Sequence, residues 1–585
     1  MPVVGTAGHV DHGKSTLIQR ITGRNPDRWA EERKRGLTID LGFAWTTLPG
    51  GLEVSFVDVP GHERFLKNML AGIEAIDFAL FVVAADEGWM PQSEEHLAVL
   101  DLLEVRQGVV AVTKSDVVEP DLLDLAMAET EEQLAGTSLE SAPVLAVSGV
   151  TGAGVPDLLR TMAEELSIRR DADTGRPRLW VDRSFAVPGA GTIVTGTLLD
   201  GSLSVDDSVM IYPGERETRI RGIQSHETTH PSVGPGRRVA LNLAGIDHHE
   251  LARGDMIGLP GQWVTSDRVV VSLRTARFVD ELDQRGAYQL HIGSSAHRVE
   301  ITGMRAGGAV LQTDTPIPVA VGDRFILRDT GRRLVVGGGR VVDPTPGRAE
   351  RAMFAASNLD PSHSPDQIAD MLLAIRGRES LSRLSAETHG GSPVGGVIVG
   401  EEAITTELFG DLTARASTLV GEEHDAHPLR PGVPLATLAE RLGVTPAIAE
   451  EVVTRSKDLI RRGPDVAAEG HRAGLTQTQE EAWARARDRL ARDLSVPVES
   501  ELGLDSDVIA HKVRSGDLVR VSTDLLFLPE QIEEIKSHLR ALQGDFTVAE
   551  FRDQAGVTRK YAVPILEWTD KEGLTVRRGD VRRLR

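Results

Sequence analysis

Apolar residues in the first third of the chain fall in short unbroken runs, each ending at a polar or glycine-containing turn. Pro2 to Gly5, Ser55 to Asp58, Phe78 to Ala85, Val109 to Thr113 and Val144 to Val147 all follow this pattern. Runs without polar alternation predict strands buried on both faces, as in a parallel sheet covered by helices. From Leu179 the texture changes to short β segments punctuated by Gly, Pro and Asp, among them Leu179 to Val187 and Gly189 to Gly196. A second such set runs from about Ser266 to Asp343. Strands and turns at short intervals predict antiparallel barrels.

Beyond the second set the pattern turns helical and repeats. Leu438 to Val453 reads as a helix, a turn at Gly443 and a second helix with Thr445 as its N-cap. The segments around Gly503 and Asp505, and around Gly556 and Thr558, have the same layout. Each second helix is followed by a short apolar-basic segment: Asp458 to Arg462, Asp517 to Val521 and Gly573 to Arg578. Helix–turn–helix plus a strand hairpin is a winged helix. A weaker copy is expected over about 350–430.

Chemistry concentrates at the ends of the first strands. The opening turn reads Gly8-His9-Val10-Asp11-His12-Gly13-Lys14-Ser15, and Thr16 opens a helix. This matches G-x-x-x-x-G-K-[ST], the P-loop, whose backbone N–H groups wrap a triphosphate. Lys14 is expected to reach the β/γ-phosphates and the Ser15 hydroxyl to hold Mg²⁺. In Asp58-Val-Pro-Gly61, Asp58 is expected to hold a magnesium-bound water and the Gly61 N–H to sense the γ-phosphate. In Thr113-Lys114-Ser115-Asp116, the Asp116 carboxylate can accept from guanine N1–H and the 2-amino group, a pairing adenine cannot offer. Ser148-Gly149 can support the guanine O6. Ligands bind at the C-terminal edge of open α/β sheets, so these segments together predict one GTP/GDP site with Mg²⁺.

The expected fold is multidomain: an α/β P-loop GTPase domain at 1–170 and antiparallel β-barrels at 171–262 and 263–345. Tandem winged-helix (α+β) modules follow at 346–430, 431–474, 475–529 and 530–585. No apolar run among the 585 residues approaches the ~18 that a membrane span needs, and no signal peptide is visible. The absence of cysteine excludes disulfides and thiolate zinc sites, and fits a cytoplasmic location. A net charge of −22 argues against one broad nucleic-acid-binding face but leaves room for a local basic site. The last winged helix offers one. Arg559 and Lys560 open its second helix, and Arg577, Arg578, Arg582, Arg583 and Arg585 follow in its wing. Pro564 is expected to disturb that helix.

Gly8 to Lys14, Arg35-Gly36-Leu37-Thr38-Ile39 and Asp58-Val-Pro-Gly61-His62-Glu63 resemble the translational GTPases of the elongation factor Tu type. The resemblance implies that Thr38 belongs to switch I and binds Mg²⁺. It also implies that His62 orients the attacking water behind an apolar gate of Val10 and Leu37. The two barrels then look like those that hold an aminoacylated tRNA. One departure is Thr113 where the family usually has Asn. It lacks the amide donor to base and P-loop, so weaker nucleotide affinity with unchanged base choice is expected.

The same GTPase followed by tandem winged helices resembles the bacterial selenocysteine-specific elongation factors over nearly the whole chain. That implies GTP-dependent delivery of selenocysteyl-tRNA to the ribosome at a recoded UGA. It also implies that a selenocysteine-insertion hairpin in mRNA binds at Arg559, Lys560, Arg577 and Arg578. No membrane partner is implied, and a monomer is expected. For the aminoacyl pocket the resemblance points to Asp182, Arg183 and Arg238, since an ionised selenol calls for cations. Alternatives are another translational GTPase, a GTP-controlled winged-helix regulator on duplex DNA, or a GTP-binding structural switch with negligible hydrolysis.

Overall fold

Unbroken apolar strands produce the sheet they predict. Its order is Gly42–Thr47, Glu53–Asp58, Val3–Ala7, Phe78–Ala84, Gly108–Thr113 and Val144–Ala146. All neighbours are parallel except the first pair, an antiparallel hairpin. The computed structural model describes residues 2–24, 42–59, 76, 78–167, 173–305, 307–347, 349–356, 359–360, 362–472 and 474–585. Alternate strand residues feed two cores. Val4, Phe56, Leu80 and Val82 pack with Leu17 and Ile18 of helix Lys14–Thr22. Val3, Val57, Phe81 and Val83 pack with Leu97 and Leu100 of helix Pro91–Leu102.

Two antiparallel barrels follow. In the first, Ser208–Tyr212, Met256–Gly258, Arg178–Val187, Gly191–Leu199, Arg237–Leu243 and Arg216–Ser225 pair in turn and close through the first and last. In the second, Val264–Ser272, Gly308–Val319, Ser295–Arg305, Tyr288–Ile292, Arg324–Asp329 and Leu334–Asp343 close in the same way. Ile326 and Val335 of this second barrel enter the core under helix Pro91–Leu102, which fastens it to the nucleotide-binding sheet.

The chain divides into two compact units, Met1–Thr405 and Thr406–Arg585. This moves one expected boundary. The module placed at 346–430 ends with the strand Glu402–Ile404, and its sheet is completed by Arg378–Ser380 and Val397–Val399. Its helices Ala349–Ala355, Pro365–Arg376 and Leu381–Glu387 bury Met353, Leu372, Leu373 and Leu384 against Val270, Val310 and Val342 of the second barrel. Helix Thr406–Ala426 instead packs on helices Leu435–Leu442 and Pro446–Arg455, so it is the first helix of the next module. A helix with one apolar stripe does not announce in sequence which neighbour it covers.

The remaining repeats depart from the expected pattern in detail. The first helix expected before Gly503 is a single 3₁₀ turn, Glu499–Glu501. Thr445 accepts the Ile448 N–H as an N-cap should, whereas the Asp505 and Thr558 side chains cap nothing. The last two modules share one apolar cluster, from Trp483 to Leu566. Pro564 lies inside helix Arg559–Lys571, which runs on through it. The missing N–H deprives the carbonyl of Lys560, one turn earlier and at the exposed end of the helix. No helix among the described residues is long and apolar enough to cross a membrane.

Arg376 ties the 349–404 module to the barrel, reaching Asp343 Oδ1 at 2.6 Å and Glu387 Oε2 at 2.5 Å, both carboxylates fully buried. Removing one partner of a buried ionic cluster typically costs about 3–5 kcal/mol. Arg376→Met is therefore expected to lower the first unit's unfolding free energy by that margin, read as a lower urea midpoint. An unchanged midpoint would contradict this assignment.

Candidate functional site

The loop between strand Val3–Ala7 and helix Lys14–Thr22 is shaped by two glycines. Gly8 has φ +126°, and a Cβ there would lie 2.1 Å from the Val82 carbonyl oxygen. Gly13, at φ +83°, caps the helix. Between them His9 and Val10 are half-buried, Asp11 is exposed and His12 is buried. Burial, with the nearby charges of His9 and Lys14, lowers the His12 pKa to about 4, so the ring is neutral. Lys14 Nζ donates to the carbonyls of Gly8 at 2.9 Å and His9 at 2.6 Å. Burial lowers the Lys14 ammonium to about 8, against the attraction of Asp58 and Asp11.

Ser15 Oγ donates to Asp58 Oδ2 at 2.7 Å, and Thr6 Oγ1 donates to Asp58 Oδ1 at 2.7 Å. The structure thus brings together two of the three residues assigned to a metal. A hydroxyl and a carboxylate are the hard oxygen donors that suit Mg²⁺. Thr38, Gly61 and His62 lie outside the described residues, as does Leu37.

At the base end, Asp116 is exposed just past strand Gly108–Thr113. Lys114, at φ +56°, pairs with Asp86 at 3.0 Å and Glu87 at 2.8 Å. The Ser148 hydroxyl accepts the Thr151 N–H at 3.0 Å and so orders the turn carrying Gly149. A Cβ on Gly149 would come within 3.3 Å of Thr16. Thr113 Oγ1 donates to the His12 carbonyl at 2.6 Å. The expectation that threonine loses the P-loop contact is therefore corrected, because its hydroxyl reaches the loop backbone without an amide.

On the first barrel, Asp182 is the extra residue of a β-bulge between Val181 and Arg183. It receives a forked pair from Arg238, Nε to Oδ2 at 3.1 Å and Nη2 to Oδ1 at 2.9 Å. The Arg238 guanidinium also stacks 3.8 Å from the centroid of Phe43, on the sheet hairpin of the P-loop domain. A cavity of about 410 Å³ opens here between barrel and sheet, lined among others by Arg24, Phe43, Trp45, Thr195, His226 and Arg238. Trp45 and His226 stack across it, centroids 4.6 Å apart. Arg183 is half-buried on the neighbouring strand position and does not line the cavity. Sequence reasoning missed Phe43, Trp45 and His226. The alternation of aromatics in Gly42–Thr47 was the available signal, but it says nothing of the barrel opposite.

In the last module Arg559, Lys560, Arg577 and Arg578 are all exposed, the first two opening helix Arg559–Lys571 and the others on the strand Thr575–Arg578. Two arginines expected in the same patch are spent internally. Arg582 is buried and pairs with Asp570 at 2.8 Å, and Arg583 pairs with Asp545 at 2.6 Å.

Comparison with known proteins agrees with this arrangement along the chain. Residues 1–167 match the elongation factor Tu GTP-binding domain and 191–258 match elongation factor Tu domain 2. Residues 266–348 match the β-barrel domain of selenocysteine-specific elongation factor, and 537–584 match the winged helix of elongation factor SelB. The chain is 34% identical to the selenocysteine-specific elongation factor of Desulfomicrobium baculatum, over all of both chains. It is 33% identical to that of Escherichia coli (strain K12), over 100% of this chain and 98% of the relative. The crystal structure of a bacterial selenocysteine-specific elongation factor, EF-Sec, superposes over all of both chains with a TM-score of 0.72 at 26% identity.

Phosphate favours the charged form of Lys14, so binding above its pKa must take up a proton. Affinity is then fully present below about pH 8 and falls as pH rises through that value, by up to roughly tenfold per pH unit. Titrating the GDP dissociation constant across this range checks the point; a flat profile would contradict it.

Proposed function

The chain belongs to the selenocysteine-specific elongation factors and is a GTP hydrolase of the elongation factor Tu type, and from this we propose that it carries selenocysteyl-tRNA to the ribosome at recoded UGA codons. In this reading residues 8–16 wrap the nucleotide phosphates, Asp116 selects guanine, and Ser148 and Gly149 support its O6. Ser15, Thr38 and, through a bound water, Asp58 would hold Mg²⁺, which would neutralise charge on the nucleotide phosphates. Lys14, held by the Gly8 and His9 carbonyls, turns its third N–H to the phosphates. His62 orients the attacking water. Thr113 keeps the loop in place through His12 but offers the base no amide, which favours weak nucleotide binding. The protein acts as a cytoplasmic monomer.

The observation that supports the carrier role is the Arg238 guanidinium at the cavity between barrel and GTPase domain. A selenol is largely ionised at neutral pH, whereas the serine carried by the precursor tRNA is neutral. A charge-assisted hydrogen bond contributes about 1.5–3 kcal/mol, roughly 10- to 150-fold in affinity. Asp182 already neutralises much of the Arg238 charge, so the selenolate must share the guanidinium and the gain belongs at the lower end. Arg183, which does not line the cavity, adds positive charge from the next strand position without reaching the amino acid. Because Phe43 covers the same guanidinium from the GTPase domain, the pocket senses the nucleotide state.

At the other end, Arg559, Lys560, Arg577 and Arg578 face the phosphate backbone of an mRNA hairpin. Holding tRNA and hairpin on one chain raises the effective concentration of the tRNA where the hairpin lies.

Rates of ester hydrolysis in selenocysteyl- and seryl-forms of the same tRNA test the proposal. With GTP, protection of the selenocysteyl ester alone is expected, and Arg238→Ala should reduce the preference about tenfold or more. Equal protection of both esters would remove selectivity from this pocket. Protection of neither would refute the carrier role.

A further inference from the structure

Two backbone N–H groups of the phosphate loop are bound by side chains for which the nucleotide chemistry gives no reason. The Gly8 N–H donates to His96 Nδ1 at 3.0 Å, and the Val10 N–H donates to Gln92 Oε1 at 2.9 Å. Gln92 and His96 stand four residues apart on helix Pro91–Leu102, the spacing that puts two side chains on one helical face. His96 is 2% exposed. Burial, with the charges of Lys14 and His9, lowers its pKa to about 3. The ring is therefore neutral, and since Nδ1 accepts, its proton sits on Nε2.

The Gln92 contact bears directly on Lys14. The N–H that Gln92 accepts and the His9 carbonyl that Lys14 Nζ binds belong to one peptide unit, His9–Val10. A peptide unit is rigid and planar, so fixing its N–H fixes where its carbonyl points. At Gly8 the two contacts hold successive peptide units, His96 the N–H of Ala7–Gly8 and Lys14 the carbonyl of Gly8–His9.

The same helix is gripped by the second barrel. Arg277 Nε pairs with Glu94 Oε1 at 2.9 Å, and Glu95 Oε1 accepts the Val335 N–H at 3.4 Å. Just past the helix, Arg324 donates to the Leu103 carbonyl at 2.9 Å and Arg340 to Glu104 at 2.9 Å.

We infer that Gln92 and His96 are positioning residues for the phosphate loop, and that helix Pro91–Leu102 transmits the position of the second barrel to that loop. The inference rests on residues 8–16 being the nucleotide site. It makes nucleotide retention a property of the barrel contact as well as of the loop. Any partner that shifts the second barrel alters the hold of Lys14 on phosphate without touching the loop.

The test is the dissociation rate of a fluorescent GDP analogue from the full chain, read by stopped flow beside the melting temperature. His96→Leu and Gln92→Met remove the acceptors while keeping bulk, and each is expected to speed release about 5- to 10-fold. In His96→Asn the side-chain oxygen replaces Nδ1 as acceptor, and the rate should return to within about twofold of the native one. The Arg277→Ala/Arg340→Ala chain should release nucleotide about two- to threefold faster through the loosened helix. Native rates in the Leu and Met variants would overturn the inference. So would an Asn variant as impaired as the Leu variant with a matching fall in melting temperature, which would indicate packing alone. A barrel double variant at the native rate would overturn the transmission. Lys14→Ala separates the two readings: if it retains GDP as tightly as the native chain, residues 8–16 are not the nucleotide site.

Discussion

The Arg238 guanidinium is held from two sides, by the Asp182 carboxylate of its own barrel and by the Phe43 ring of the GTPase domain. The forked carboxylate contact fixes the plane of the guanidinium, and the ring then covers one face. A cation–π contact is worth about 0.5–2 kcal/mol depending on desolvation. That is a usable size for a switch: strong enough to shift an equilibrium severalfold, weak enough to be broken by a movement of one strand. Phe43 sits on Gly42–Thr47, the strand that directly follows the stretch containing Thr38. In the proposed scheme a change in that stretch is only a few residues of chain away from the cavity beside Arg238.

The rest of the first unit makes such a small contact meaningful. The second barrel is fastened to the GTPase sheet by an apolar core and several arginine bonds. The 349–404 module is fastened to the same barrel by its own core and by the buried Arg376 cluster. With these elements fixed, the cavity between sheet and first barrel is a place where relative movement can be read out. Charge follows the same economy. In an acidic chain, basic side chains left exposed in the last module stand out, and two of its other arginines are neutralised by internal partners.

Much of this was legible in the residues. Unbroken apolar runs ending in glycine or aspartate fix strand, edge and ligand side together, because a parallel strand buried on both faces leaves only its end for chemistry. Short strands with frequent turns likewise leave little but a barrel. What sequence could not show is contact between distant segments. Gln92 and His96 look like ordinary polar residues of a helix, and their function appears once Gly8 and Val10 lie against them. Phe43 and His226 are separated by a whole domain boundary. Arg582 reads as one more charge in a basic tail, yet Asp570 draws it into the interior. The weak pattern over 350–430 showed neither helix Thr406–Ala426 nor the module it belongs to.

The central claim is that the cavity beside Arg238 takes the amino acid and that the nucleotide domain controls it through Phe43. The most direct measurement is the affinity for selenocysteyl-tRNA with GTP and with GDP, in the native chain and in Phe43→Ala. A native protein that strongly prefers GTP, and a Phe43→Ala chain in which that preference collapses while GTP itself still binds, is the predicted result. An undiminished preference in the variant would contradict the claim and place the coupling elsewhere in the interface.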